Sequence, residues 1–176
     1  MMKKALIFIL ATMFLILCAC GQSEVVPEPT QASVETAAPV YEKLYFESAG
    51  VKFGIMDEAE SVLSALGEPQ GSFEADSCAY QGKDYFYYYD GFELTANDVD
   101  GALRITGINI IDDTVQTPQG IYIGIDRDDA LVLAGCEYEQ SGDVYRVYEN
   151  ETVLLLHCGS DGCIDAIEYL SKTADI

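Results

Sequence analysis

Six cysteines, one histidine and 30 acidic side chains are the groups of this 176-residue chain with the most chemistry in them, and their spacing says more than their number. Cys158-Gly159-Ser160-Asp161-Gly162-Cys163 sets two thiols on either side of a four-residue turn, where they could face each other across two hairpin strands. A disulfide and a pair of free thiols both fit that spacing. A zinc site built from these cysteines and His157 is disfavoured, because paired ligand knuckles are missing. His157 ends an apolar run and reads as structural. Asn97-Asp98-Val99-Asp100-Gly101 and Asp126-Arg127-Asp128-Asp129 are acidic enough to attract a cation. The first places Ala96 where a calcium loop needs a ligand, and a hairpin turn and a helix cap account for both stretches. There is no glycine-rich phosphate loop, no Ser or Cys nucleophile with a credible histidine, and no metal-ligand helix. In so acidic a chain no carboxylate pair stands out for acid–base work. The expectation is a protein without catalytic residues, metal or cofactor.

The remaining chemistry is recognition. Tyr85-Phe86-Tyr87-Tyr88-Tyr89 is an aromatic run whose two-residue period sends Tyr85, Tyr87 and Tyr89 to one face of a strand and Phe86 and Tyr88 to the other. Phe86 is the more natural core residue, so the three tyrosines are expected on the uncovered sheet face, with Tyr148 near them. Tyrosine suits an interface because it is large, stiff and amphipathic; the plainer reading is that it covers a half-wet sheet. The absence of Trp argues mildly against carbohydrate stacking.

The placement of these groups follows from the amino terminus. Met1-Met2-Lys3-Lys4 is a positive n-region, and Ala5 to Leu17 is an apolar h-region relieved only by Thr12, too short and wrongly flanked to span a membrane stably. It ends in Leu17-Cys18-Ala19-Cys20-Gly21, which resembles a bacterial lipobox. That resemblance implies cleavage of residues 1–19, then lipidation of Cys20, with the small Ala19 before it; Leu17 is too bulky for Cys18 to serve. Two or more acyl chains anchor a protein stably, so the expected location is the extracytoplasmic face of the cell membrane. Residues 20–44 carry Pro27, Pro29 and Pro39 in no periodic order and read as a disordered tether. A coil of about 20 residues reaches roughly 25 Å. Outside the cytoplasm Cys78, Cys136, Cys158 and Cys163 could pair. Without residues 1–19 the chain holds 7 basic residues against 30 acidic, a net charge of −23, which repels nucleic acid and anionic headgroups.

The elements that must hold these residues fall in residues 45–176. Val51, Phe53 and Ile55 alternate as a short strand. Asp57 stands as N-cap with Glu60 completing a capping box; Ala59, Val62, Leu63 and Leu66 share a helical face, and Gly67 and Pro69 stop the helix. Strands are expected at Ser77–Tyr80, Tyr85–Tyr89, Phe92–Thr95 and Ala102–Ile111, with hairpin turns at Asp90-Gly91 and Asp100-Gly101. Seventy residues on, Gly50, Gly54, Ile55, Val62 and Leu63 recur as Gly120, Gly124, Ile125, Val132 and Leu133. Asp126 can cap a second helix through Leu131, Leu133 and Ala134, and strands follow at Val144–Tyr148, Val153–His157 and Cys163–Leu170. Asp100-Gly101 and Asp161-Gly162 are only 61 apart, so the second unit is expected to lack one strand and its loop. The fold class expected is α+β: two tandem helix-then-antiparallel-meander repeats, about 50–111 and 120–170, with the helices on one face of the sheet.

A glycine, a capped helix with a central valine, then Leu-Gly-x-Pro and a meander resembles the small outer-membrane-assembly lipoproteins of the SmpA/OmlA type and the tandem-repeat (BLIP-like) β-lactamase inhibitory proteins. The positions that carry this are Gly54, Val62, Leu66, Gly67 and Pro69; only Gly124 and Val132 match in the second unit. The resemblance implies helices over one sheet face and a protein partner on the other. The function expected is therefore a membrane-tethered extracytoplasmic lipoprotein that binds another protein through an aromatic sheet face. An extracytoplasmic enzyme, or a carbohydrate- or cation-binding lipoprotein, is the alternative.

Overall fold

The computed structural model describes residues 44–135 and 137–174. The expected signal segment, the lipidation site Cys20, the tether up to Lys43, and Cys136 lie outside these residues. Leu44, taken as the tether's end, is buried, and its N–H donates to Glu149 Oε2 at 2.6 Å.

The chain runs β1 (Phe46–Ser48), β2 (Val51–Phe53), α1 (Ala59–Leu66), β3 (Gly71–Asp76), β4 (Lys83–Tyr88), β5 (Phe92–Val99), β6 (Ala102–Ile110), α2 (Arg127–Ala134), β7 (Glu139–Ser141), β8 (Val144–Glu149), β9 (Thr152–Cys158) and β10 (Ile164–Ser171). β1 and β2 form a hairpin closed by Ala49 and Gly50, both at positive φ (51° and 77°), as a turn matching strand twist demands. The other eight strands make one antiparallel sheet in the order β3-β4-β5-β6-β10-β9-β8-β7.

The expected α+β architecture of two tandem repeats does not hold. The described residues are mostly β, 49% strand against 12% helix. β6 and β10 pair directly, Ile110 opposite Ile167 and Ile108 opposite Tyr169, so no unit owns a separate sheet. Identical residues 70 apart also sit in different places. Val62 is buried whereas Val132 is 67% exposed and Leu133 40%; α2 packs through Ala130, Leu131 and Ala134 instead. The strand thought deleted is present as β7, a three-residue exposed edge of polar side chains. Ser77–Tyr80 is a loop, closed by Tyr80 N–H on Ser77 Oγ (2.9 Å) and Ser77 N–H on Gly82 O (3.0 Å), and the strand precedes it as β3.

Asp57 does not cap α1. Its carboxylate turns back to accept from Gly54 N–H (2.9 Å), closing a tight turn through Met56 at φ 73°, and Glu58 becomes the N-cap, its carboxylate accepting from the Ser61 hydroxyl (2.8 Å) and not from a backbone N–H of the helix. Asp126 does cap α2, accepting from Asp128 and Asp129 N–H at 2.8 and 3.4 Å.

The core lies on the sheet face that carries Phe92, Leu94, Ala96, Ile105, Ile108, Ile110, Leu154, Leu156, Ile167 and Tyr169. Phe46 and Phe53 from the hairpin, Ala59 and Val62 from α1, Ile121 and Ile125, and the buried side of α2 close over it. The Tyr169 hydroxyl is buried there, and burial pushes its pKa far up.

Candidate functional site: the sheet face opposite the helices

Residues directly opposite in an antiparallel pair point to the same side of a sheet. Tyr87 lies opposite Leu94 and Tyr85 opposite Ala96, both in the core. Tyr89 stacks on Phe92 (centroids 5.1 Å, planes 10°) and its hydroxyl donates to Gly67 O at 3.1 Å. Tyr85, Tyr87 and Tyr89 therefore face the helices and pack half-buried against the core, not on the opposite side, and Phe86 is not a core residue. Burial raises the phenol pKa of Tyr87, with Tyr85 and Glu60 adding to it, and of Tyr89, with Tyr87 and Glu68 adding. Tyr87 lines a shallow groove beside Leu63, Gly67 and Pro69, continuous with a second one formed by Ser72, Phe73, Glu74 and Tyr85.

The opposite face has a different composition. Following the pairing strand by strand gives one unbroken row: Phe73, Phe86, Thr95, Gly107, Leu170, Val153 and Tyr148. It crosses seven strands. Phe73, 59% exposed, stacks on Phe86 at 6.0 Å, and Tyr148 at the other end is 41% exposed. Gly107 keeps the row continuous, because a Cβ there would stand 3.2 Å from Thr95 Cβ and 3.4 Å from Leu170 Cδ2. Val153 and Leu155 are buried yet stand apart from the core on the other side. Of the four tyrosines expected at an interface, only Tyr148 is on this face.

Beside the apolar row runs a polar one: Arg146, Leu155, Glu168, Asn109, Glu93 and Tyr88. His157 Nε2 lies 3.0 Å from Glu168 Oε1. On the central strand β6 Thr106 is the extra residue of a bulge, where the register steps from Thr95↔Gly107 to Ala96↔Ile105. Its hydroxyl donates to Asn97 Oδ1, and Asn97 Nδ2 donates to Lys83 O (3.0 Å) and the Asp84 carboxylate, so this buried polar knot is satisfied.

Burial holds the Glu93 carboxyl above the ordinary carboxylate range. Folding thus favours its protonated form. Stability from this site is full in acid and is lost as pH rises through the raised folded pKa. Glu93→Gln is expected to raise the urea midpoint at neutral pH and to leave it unchanged below the ordinary carboxylate range. Equal shifts at both pH values would refute the assignment.

Cys158 and Cys163 are free. Cys158 pairs with the core residue Ile164, and Cys163, just before β10, bridges to Asp126 instead of standing opposite Cys158. Cys78 is exposed and free. Burial raises the Cys158 thiol, Asp143, Asp161 and Asp165 reinforce the shift, and Arg127 opposes it. Asp98 Oδ1 accepts from Gly101 N–H (2.9 Å) in a hairpin turn, and Asp128 pairs with Arg127 (2.8 Å).

No family model matches the chain, and no curated protein matches it. Among solved structures it is similar to an extracellular protein containing a SCP domain from Bacillus anthracis str. Ames, with TM-score 0.51 and 14% identity, over 68% of this chain and 44% of that one. It is also similar to the uncharacterized protein yfeY from Escherichia coli, with TM-score 0.42 and 11% identity, over 66% of this chain and 95% of that one. This chain spans less than half of the first protein's length. At that identity the first likeness shows a shared fold and nothing of function, and the second is too loose to carry an argument.

Proposed function

We propose that the protein is a membrane-tethered extracytoplasmic lipoprotein, anchored through acylated Cys20, that binds another protein on the sheet face opposite its helices. The observation that carries the reading is the row from Phe73 to Tyr148, apolar for most of its length, in register across seven strands and flanked by a largely polar row. An apolar stripe with a polar rim is how recognition surfaces are composed. The aromatic contacts are Phe73, Phe86, Tyr88 and Tyr148, which replace Tyr85, Tyr87 and Tyr89 in that role.

A photocrosslinking side chain placed at Tyr148, on the face, or at Val132, 67% exposed on α2, distinguishes this surface from the rest of the molecule. On intact cells the Tyr148 probe is expected to capture a discrete protein that the Val132 probe does not. Leu170→Ser is expected to abolish that capture. Identical products from both positions, or capture indifferent to Leu170→Ser, would refute the site.

A further inference from the structure

We propose that β3 is a docking strand, which takes an extended cationic segment of a partner protein as a ninth strand of the sheet. The proposal builds on the binding reading above but uses the sheet's edge, so the two fail separately.

The two edges of the sheet are unlike. β7 is three residues long, which is one way a protein blunts an edge. β3 is six residues long and pairs with β4 from Gly71↔Tyr88 to Asp76↔Lys83 with no shift of register. It has no proline. Ser77 N–H bonds to O of Gly82 directly opposite it, so by alternation Ala75 and Phe73 turn their backbone groups to β4. The N–H and C=O of Ser72, Glu74 and Asp76 then point away from the sheet, and all three residues are exposed. That is a template for an added strand.

Charge selects the occupant. β3 carries Glu74 and Asp76 on a chain of net charge −21. A second copy would set these acids against their own kind, and like charges opposite one another destabilise a strand pair. A basic strand meets the opposite sign. Its side chains would alternate between two surfaces. On the side opposite the helices the exposed Phe73, stacked on Phe86, offers an apolar contact. On the helix side Ser72, Glu74, Tyr85 and Tyr87 line a groove in which a carboxylate and two phenol rings suit a Lys or Arg. Lys83, directly opposite Asp76 on β4, pairs with Glu74, so one cation serves two carboxylates and an incoming base adds to it. The segment recognised is therefore one of alternating basic and apolar residues.

The test uses the full chain in detergent and three acetylated heptapeptides: alternating Lys and Val, the same peptide N-methylated at alternate residues, and alternating Glu and Val. The Lys/Val peptide is expected to bind saturably below about 1 mM and to slow amide exchange at Ser72, Glu74 and Asp76. Loss of two or more backbone bonds on N-methylation is expected to weaken binding at least about tenfold. Glu74→Pro, which removes an outward N–H, is expected to do the same, and the Glu/Val peptide is expected not to bind. Leu170→Ser, on the sheet face, is expected to leave peptide binding unchanged. Equal binding of the N-methylated peptide would reduce the interaction to charge attraction and overturn the proposal. So would unprotected amides at the three positions, or no binding of the Lys/Val peptide.

Discussion

Phe46→Ala is expected to lower unfolding free energy by about 4 kcal/mol, seen as a lower urea midpoint at unchanged slope. Phe46 is fully buried and is the hub of an aromatic cluster. Its ring meets Phe53 at 5.5 Å and Tyr169 at 6.1 Å, both edge-on, and Phe92 at 5.1 Å. Those partners come from the small hairpin, from β10 and from β5. Removing the ring opens a cavity where three separately anchored elements meet, and none can move in without dragging a strand out of register. Edge-on pairs add to the area term. Against a typical stability of about 5–15 kcal/mol the loss is a large fraction of the total. Phe73→Ala deletes the same atoms from a site 59% exposed, and is expected to stay within about 0.5 kcal/mol. A loss below about 1 kcal/mol at Phe46 would mean that the hairpin does not seal the core.

Which parts of this architecture are legible in the residues follows from how many neighbours each element has. Central strands announce themselves. Phe92, Leu94 and Ala96 alternate because both flanking strands and a covering layer force one side to be apolar, and β6 shows the same. Edge strands do not. Gly71–Asp76 and Glu139–Ser141 each have one neighbour and exposed side chains, so no alternation marks them, and the polar stretch around each reads as loop. The helix stop at Gly67 is legible, since its φ of 84° is open to glycine at no cost; the start is not, because Asp57 serves Gly54 before it can serve the helix.

The side to which the tyrosines turn is illegible for a different reason. With aromatics at five successive positions, composition cannot say which parity is buried. The deciding signal lay in the next strand. A two-residue connection at Asp90-Gly91 sets Tyr89 opposite Phe92, Tyr87 opposite Leu94 and Tyr85 opposite Ala96, and Tyr89 N–H on Phe92 O at 2.9 Å is that closure. The apolar side of the partner strand fixes the parity that the aromatic run leaves open. The echo 70 residues apart does not carry over to packing, because a valine kept in sequence at Val132 is turned to solvent when the helix buries Ala130, Leu131 and Ala134.

Gly91→Ala is expected to cost about 3 kcal/mol, from two separable sources. Gly91 sits at φ 78°, where any L side chain is strained by about 1–2 kcal/mol. A Cβ there would also stand 2.3 Å from Val115 Cγ2 and 2.8 Å from Thr114 Oγ1, so the segment after β6 must retreat. The two sources are told apart with Val115→Ala. That change removes the nearer clashing methyl but leaves the backbone strain, so the double variant is expected to lose less than the sum of the single losses, by about 1 kcal/mol or more. Strict additivity would show that backbone strain alone sets the cost. The turn also carries the carbonyl that accepts Ile111 N–H at 2.9 Å, and Phe92 beside it is the ring on which both Phe46 and Tyr89 rest. A shift at Gly91 therefore reaches the core through Phe92 and the β4 aromatics through the hairpin. For this reason its amide exchange, and not only the midpoint, is expected to change along β4 and β5.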